Sequence, residues 1–205
     1  MTVLFIVGNG FDLWHRLPTS YKHFHEFSRG ALEEIENFYD SGVGDASPWC
    51  DFENRLGTFN SEDFYETHNE IDPDAEDFRT SFVFGLEDDL NEQADQLVET
   101  ITDCFQDWIS SIDISTANRR VALPYNAQYL NFNYTSTLES TYGIKERNVL
   151  HIHGKAGTSD DLVFGHGATT EEEPELDEAG ESNRTIFSEA KCSSNYPIYA
   201  LRKPV

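Results

Sequence analysis

Val3-Leu4-Phe5-Ile6-Val7-Gly8-Asn9-Gly10-Phe11-Asp12 is an apolar, β-branched run that stops at glycine. Residues 2–7 read as a buried parallel strand, and the glycines as a tight strand-to-loop turn. The pattern recurs. Ala127-Gln128-Tyr129-Leu130 runs into Asn131-Phe132-Asn133-Tyr134-Thr135, and Val149-Leu150 into His151-Ile152-His153-Gly154. Leu162-Val163-Phe164 runs into Gly165-His166-Gly167. Ligands of parallel α/β sheets bind outside the carboxyl ends of the strands. Four strands ending in small, polar or titratable residues therefore predict the rim of one pocket.

The chain between the first two strands reads as helical. Thr19-Ser20 is a helix cap, and Phe24, Phe27, Ala31, Leu32, Ile35 and Phe38 recur at helical spacing from Tyr21 to Tyr39. A Gly/Ser/Pro loop at 41–48 leads to a short helix at 49–59. An acidic, weakly patterned stretch follows at 60–77, then a long helix from about Phe78 to Ile112. The expected architecture is one α/β domain over 1–205 with a large helical insertion at about 20–115. Thr137–Tyr142 is a short helix or turn, and the glutamate-rich 169–183 a solvated loop. The chain stops just after Pro204, which suits the first turn of another helix, so it is either truncated or ends in an extended tail.

Composition narrows the function. A hydrophobic content of 38% with 15 Phe supports an ordinary core. The net charge of −24, from 14 basic and 38 acidic residues, repels phosphate backbones and anionic lipid. Neither a nucleic-acid nor a membrane partner is expected. An anionic ligand would need backbone N–H groups and the few Arg and His. Cys50, Cys104 and Cys192 are too scattered for a four-cysteine zinc site and suit a reducing compartment. No leader pattern opens the chain and no apolar run is long enough to cross a bilayer, so a cytoplasmic location is expected.

Each polar strand end has two readings. Gly8, Asn9 and Gly10 let backbone amides approach a phosphate, or simply make a turn, and their spacing is neither that of a dinucleotide fingerprint nor that of a P-loop. Asp12 orients a ribose hydroxyl or caps the following turn. Asn131 and Asn133 share a face if the strand persists, and either bind a polar ligand or brace a loop. Tyr134 and Thr135 are placed to stack on a ring or bond a sugar. His151 and His153 alternate in the same way and suit general-base work, with His166 a third imidazole. A metal-dependent hydrolase built on these three histidines lacks a carboxylate at ligand spacing, so no metal is expected. Trp49, Asp51, Phe52 and Glu53 read as packing and capping of the helical region.

The ordered set of motifs resembles the AbiH-type abortive-infection proteins of bacteria. It comprises Phe5–Leu13, Leu17–Tyr21, Trp49–Glu53, Asn131–Thr135, His151–Gly154 and Phe164–Gly167, and it spans nearly the whole chain. Such chains often carry Gly before Leu-Pro-Thr-Ser, where this one has Arg16, and they commonly continue into further helices. The family is in turn similar to sirtuin-like NAD-consuming domains. That resemblance implies a Rossmann-like parallel sheet, with Gly8 and Gly10 as the dinucleotide turn and Asn133 and His153 at the nicotinamide-ribose site. Asp12 stands where such domains often place a small hydroxyl residue. Thr19, Ser20 and Tyr21 replace an Asp-Phe-Arg segment, and the arginine's phosphate contact is missing. On this analogy NAD is the substrate, Asn133 and His153 are catalytic, and the nucleotide lies along Gly8, Asn9, Gly10, Asp12, Thr19, Ser20, Asn131, Tyr134, His151, Gly154, Gly165 and His166. The implied activity is a cytoplasmic antiphage NAD glycohydrolase. The alternative is a non-catalytic nucleotide-binding sensor or interaction module. A homo-oligomer is compatible with either.

Overall fold

The structure is a computed structural model that describes residues 3–39, 52–72, 74–158, 162–167 and 196–203. Its elements, in order, are β1 (Leu4–Val7), α1 (Gly10–Trp14), α2 (Tyr21–Leu32), a 3₁₀ turn (Glu36–Phe38), α3 (Phe52–Leu56), α4 (Ser61–His68) and α5 (Thr80–Ser111). A second 3₁₀ turn (Ile114–Thr116), β2 (Gln128–Asn131), α6 (Thr137–Tyr142), a third (Glu146–Asn148), β3 (Val149–His151) and α7 (Tyr196–Ala200) complete the series. The result is a mixed α/β protein with many helices and a small, open parallel sheet. The three strands lie in the order β1-β2-β3, with Ile6 opposite Leu130 and Leu130 opposite Leu150. No helix among the described residues is long and apolar enough to cross a membrane.

The fold divides into two compact units, Met1–Gly30 with Thr102–Phe164, and Ala31–Ile101 with Gly165–Val205. In the first, one face of the sheet is packed. Val7, Ala127, Tyr129, Leu138, Tyr142 and Ile144 form its buried cluster, with Phe5, Phe11, Leu123 and Val149 against it. Phe5 stacks on Tyr129 at 5.2 Å. Further along the unit, Phe24 meets Phe105 and Trp108, and Phe164 stacks on Phe105 at 4.4 Å. In the second unit, Phe38, Phe59 and Phe64 form an aromatic knot, and Leu86, Leu90, Ala94, Leu97 and Ile101 make a buried stripe along α5.

Several expectations change in detail. β1 is a parallel strand, yet Leu4 is 60% and Ile6 70% exposed, because alternate side chains face opposite ways and the described residues leave that face open. Leu150 shares the open face and is 60% exposed. Leu162–Phe164 is irregular chain rather than a fourth strand. Val163 N–H donates to the His153 carbonyl, and the Phe164 ring is committed to Phe105. α2 stops at Leu32 and a separate 3₁₀ turn follows. Ser20 caps α2, its Oγ accepting the His23 N–H at 3.4 Å and bonding His23 Nδ1 at 2.6 Å. The stretch at 60–77 holds α4, whose cap Asn60 accepts the N–H groups of Glu62 and Asp63. The 41–48 loop, Trp49, Cys50, Asp51, the 169–183 acidic stretch and Cys192 lie outside the described residues.

Helix α1 ends in a Schellman motif: Leu17 N–H donates to Asp12 O and Arg16 N–H to Leu13 O. Arg16 sits at its left-handed position, with φ 65°. That backbone costs a non-glycine residue roughly 1–2 kcal/mol, which is the physical reason for a glycine before Leu-Pro-Thr-Ser. Glycine loses about 0.5–1 kcal/mol more chain entropy on folding. Arg16→Gly is therefore expected to raise stability by a net of about 0.5–1 kcal/mol, read as a higher urea midpoint at unchanged slope. Leu138 is fully buried over the sheet, and Leu138→Ala is expected to lower stability by about 2–5 kcal/mol in the same assay.

Candidate functional site

The last register row of the sheet is Val7–Asn131–His151. One further ladder bond follows on each side, Phe132 N–H to Val7 O and Ile152 N–H to Asn131 O. Beyond that row the three chains leave the sheet as Gly8-Asn9-Gly10, Phe132-Asn133 and Ile152-His153. This is the carboxyl edge, where parallel sheets collect ligands.

A buried polar network occupies the edge. Asn131 Oδ1 accepts the Asn133 N–H at 3.2 Å, which turns the chain out of the strand. His151 Nδ1 lies 3.1 Å from the Asn133 carbonyl and 3.5 Å from Asn131 Nδ2. On its other side His151 Nε2 donates to Glu139 Oε1 at 2.9 Å, and both side chains are nearly buried. Lys155 Nζ stands 3.8 Å from Glu139 and 2.7 Å from Glu146. Its cation holds the Glu146 carboxyl below the usual range.

Asp12 joins the network from α1. Its Oδ2 accepts the Thr135 hydroxyl at 2.5 Å, and Thr135 is bonded in turn to Thr137 at 2.9 Å. Burial pushes the Asp12 carboxyl above its ordinary range, against the opposing pull of Thr135, Thr137, His15 and His151. The side chain is not a helix cap. Next to it, His15 Nδ1 donates to the Phe11 carbonyl at 2.6 Å, so its Nε2 accepts from the Tyr142 hydroxyl at 2.6 Å. Asp12 Oδ1, Thr19 Oγ1, Asn133 Oδ1 and Glu139 Oε2 are buried without a hydrogen-bond partner among the described residues.

The remaining sequence candidates divide between two settings. Asn9 Nδ2 donates to the Thr19 carbonyl at 2.8 Å, which ties the glycine turn to the segment leading into the Ser20 cap. At Gly8 and Gly10 a Cβ would meet no atom of the described residues within 4 Å, so these residues leave the turn open. His153 is flanked by the rings of Phe132 and Tyr134 at 5.5 and 5.7 Å, an environment unlike that of His151. The Tyr134 hydroxyl donates to the Val163 carbonyl. Gly154 adopts φ 79°, the left-handed turn that favours glycine. Gly165 and His166 belong to the second unit. A Cβ on Gly165 would fall 1.9 Å from the Leu201 carbonyl, and His166 Nε2 bonds Ile198 O at 2.8 Å. These contacts hold the C-terminal segment.

Glu139, Thr137, Lys155 and Glu146 are network members to which the sequence alone does not point. Nothing in the spacing points from α6 to a histidine 12 residues later. Only the fold supplies that pairing. Among the described residues no three His, Cys, Asp or Glu side chains gather in a geometry for a metal ion.

A family model described as Bacteriophage abortive infection AbiH matches residues 4–200. No curated protein and no solved structure gives a significant match. The family match covers every strand and helix of the sheet-bearing unit together with its polar edge, and the chain belongs to the AbiH family of bacteriophage abortive infection proteins.

Proposed function

We propose that this AbiH-family chain is an abortive-infection effector that binds NAD along the carboxyl edge of its sheet and hydrolyses the nicotinamide–ribose bond. One observation carries the proposal: among the described residues, the buried polar atoms Asn133 Oδ1, Asp12 Oδ1 and Thr19 Oγ1 have no hydrogen-bond partner. Each such atom costs roughly 1–3 kcal/mol. Ribose hydroxyls and a bound water are the donors that would satisfy the Asn133 and Asp12 oxygens, and a ligand oxygen could accept from the Thr19 hydroxyl. The open turn at Gly8 and Gly10 supports a pyrophosphate approaching the backbone. The resemblance to sirtuin-like domains points the same way.

In this scheme the C1′–N bond breaks and its electron pair returns to the nicotinamide ring, cancelling the ring's positive charge. Water adds to C1′ and gives up a proton, yielding nicotinamide and ADP-ribose. Asn133 holds the water or the ribose, which supplies proximity. His153 takes the proton. Asp12 accepts from a ribose hydroxyl. The Glu139–His151 pair acts through the Asn133 carbonyl and positions that residue.

Pure protein incubated with NAD is expected to release nicotinamide and ADP-ribose, resolved by chromatography. Asn133→Ala and His153→Ala are each expected to slow release by about 100-fold or more. Activity that survives both changes removes the residue assignment, while thermal stabilisation by NAD without product identifies a sensor instead.

Asp12 gives a second handle. With its native pKa above the unfolded value, the folded protein keeps a proton that the unfolded chain releases. That contribution to stability is full below the ordinary Asp range and fades as pH rises through the raised value. Asp12→Asn removes the buried charge but keeps an acceptor for Thr135. Its urea midpoint relative to the parent is expected to improve between pH 4 and pH 7.5. An offset independent of pH would show that the carboxyl is not desolvated.

A further inference from the structure

We propose a second anion site, separate from the carboxyl edge, that takes a phosphorylated small molecule with a planar ring, of nucleotide class. It is a groove of about 410 Å³, lined by Arg119, Arg120, Leu123, Tyr125 and Tyr142 among others. The volume is in the range of small-molecule sites. The groove belongs to the connector that enters the amino end of β2, whereas the Asn133 network lies past the strand's other end.

Charge is the first argument. The chain has 14 basic residues against 38 acidic ones. Two adjacent arginines would ordinarily be neutralised by carboxylates in such company. Among the described residues neither does so. Arg119 Nε donates instead to the Thr141 carbonyl at 2.6 Å, and its Nη1 approaches the Tyr125 hydroxyl at 3.4 Å. The Arg120 guanidinium lies 5.8 Å from the centre of the Trp14 ring. Its backbone N–H donates to the Tyr142 hydroxyl at 3.0 Å. Arg119 is thus held by neutral partners and Arg120 lies beside a ring, and among the described residues no carboxylate compensates either charge.

Chemistry names the ligand. Guanidinium forks match phosphate oxygens in pairs and keep their charge at any physiological pH. Tyr125 is 60% exposed and Trp14 47%, so aromatic rings with accessible surface stand beside the cations. A phosphate between the arginines with a planar base against Tyr125 uses both features. Tyr142 connects this groove with the interior, since its hydroxyl also bonds the buried His15.

The test uses the full chain carrying Asn133→Ala and ADP, which has no nicotinamide to lose, so edge chemistry does not enter the readout, and ADP held at the Gly8–Gly10 edge is told apart by its indifference to substitutions in the groove. ADP, adenosine and inorganic phosphate are titrated calorimetrically. ADP is expected to bind, phosphate to bind more weakly, adenosine weakest, and ADP affinity to fall as salt rises. Adding Arg119→Gln and Arg120→Gln should weaken ADP by at least about 10-fold, with the ligand-free melting temperature unchanged. Should the double change unfold the chain, Tyr125→Ala serves as the second variant and should reduce ADP binding to the level of phosphate. No ADP binding, or ADP binding indifferent to both sets of substitutions, overturns the proposal. NAD turnover by the unsubstituted chain is scored separately, so either idea can fail alone.

Discussion

The structure depends on the parallel register that sets Val7, Asn131 and His151 in one row. A parallel pair needs a long crossover, and here more than a hundred residues separate β1 from β2. The hydrogen bonds of the ladder are what bring Gly8, Asn133 and His153 out of the sheet at a shared edge. Shifting β2 by one residue would turn Tyr129 out of the core and Asn131 away from His151. The packing of Leu138 and Tyr142 on the same face specifies the register, because only this alignment buries Val7 and Tyr129 together.

Hydrogen bonding inside the edge sorts the polar residues by task. Asn131 spends its carbonyl on the Asn133 backbone, and His151 spends its ring on Asn133 and Glu139. Both are bracing groups, in keeping with the loop-bracing alternative for the asparagine pair. Asn133 is itself braced through its backbone, while its side-chain oxygen has no partner among the described residues. The AbiH match gives the setting of phage defence. The chemistry proposed for that setting rests on these unpaired atoms and on the sirtuin-like analogy.

Local signals in the sequence were legible wherever one short segment contained the whole cause. The strands show as apolar runs stopped by Gly or Asn, α5 as a long helical stripe, and the start of α2 as Ser20. The shortfalls have physical origins. α4 carries one fully buried side chain, Phe64, so periodicity is nearly silent and its clearest mark is the Asn60 cap with acids in the first turn. Leu162–Phe164 has a strand's composition but, among the described residues, a single backbone bond toward the His153 segment. Glu139 and His151 meet through tertiary folding alone. At Gly165 the close approach of the Leu201 carbonyl, which occupies the place of a Cβ, comes from a residue 36 positions away and has no local signal. Arg16 carries a left-handed backbone that glycine would adopt without strain, and no local pattern in the sequence marks that cost.

The sheet face that the described residues leave open sets a short-range attraction against a long-range repulsion. Ile6, Leu130 and Leu150 form one apolar row on a chain whose net charge is −24. Apolar strips of this kind attract one another at short range, whereas like-charged molecules repel before they touch. Counter-ions shorten the reach of the repulsion and leave the hydrophobic pull intact. The ionic strength of the surroundings therefore decides which force an approaching molecule meets first.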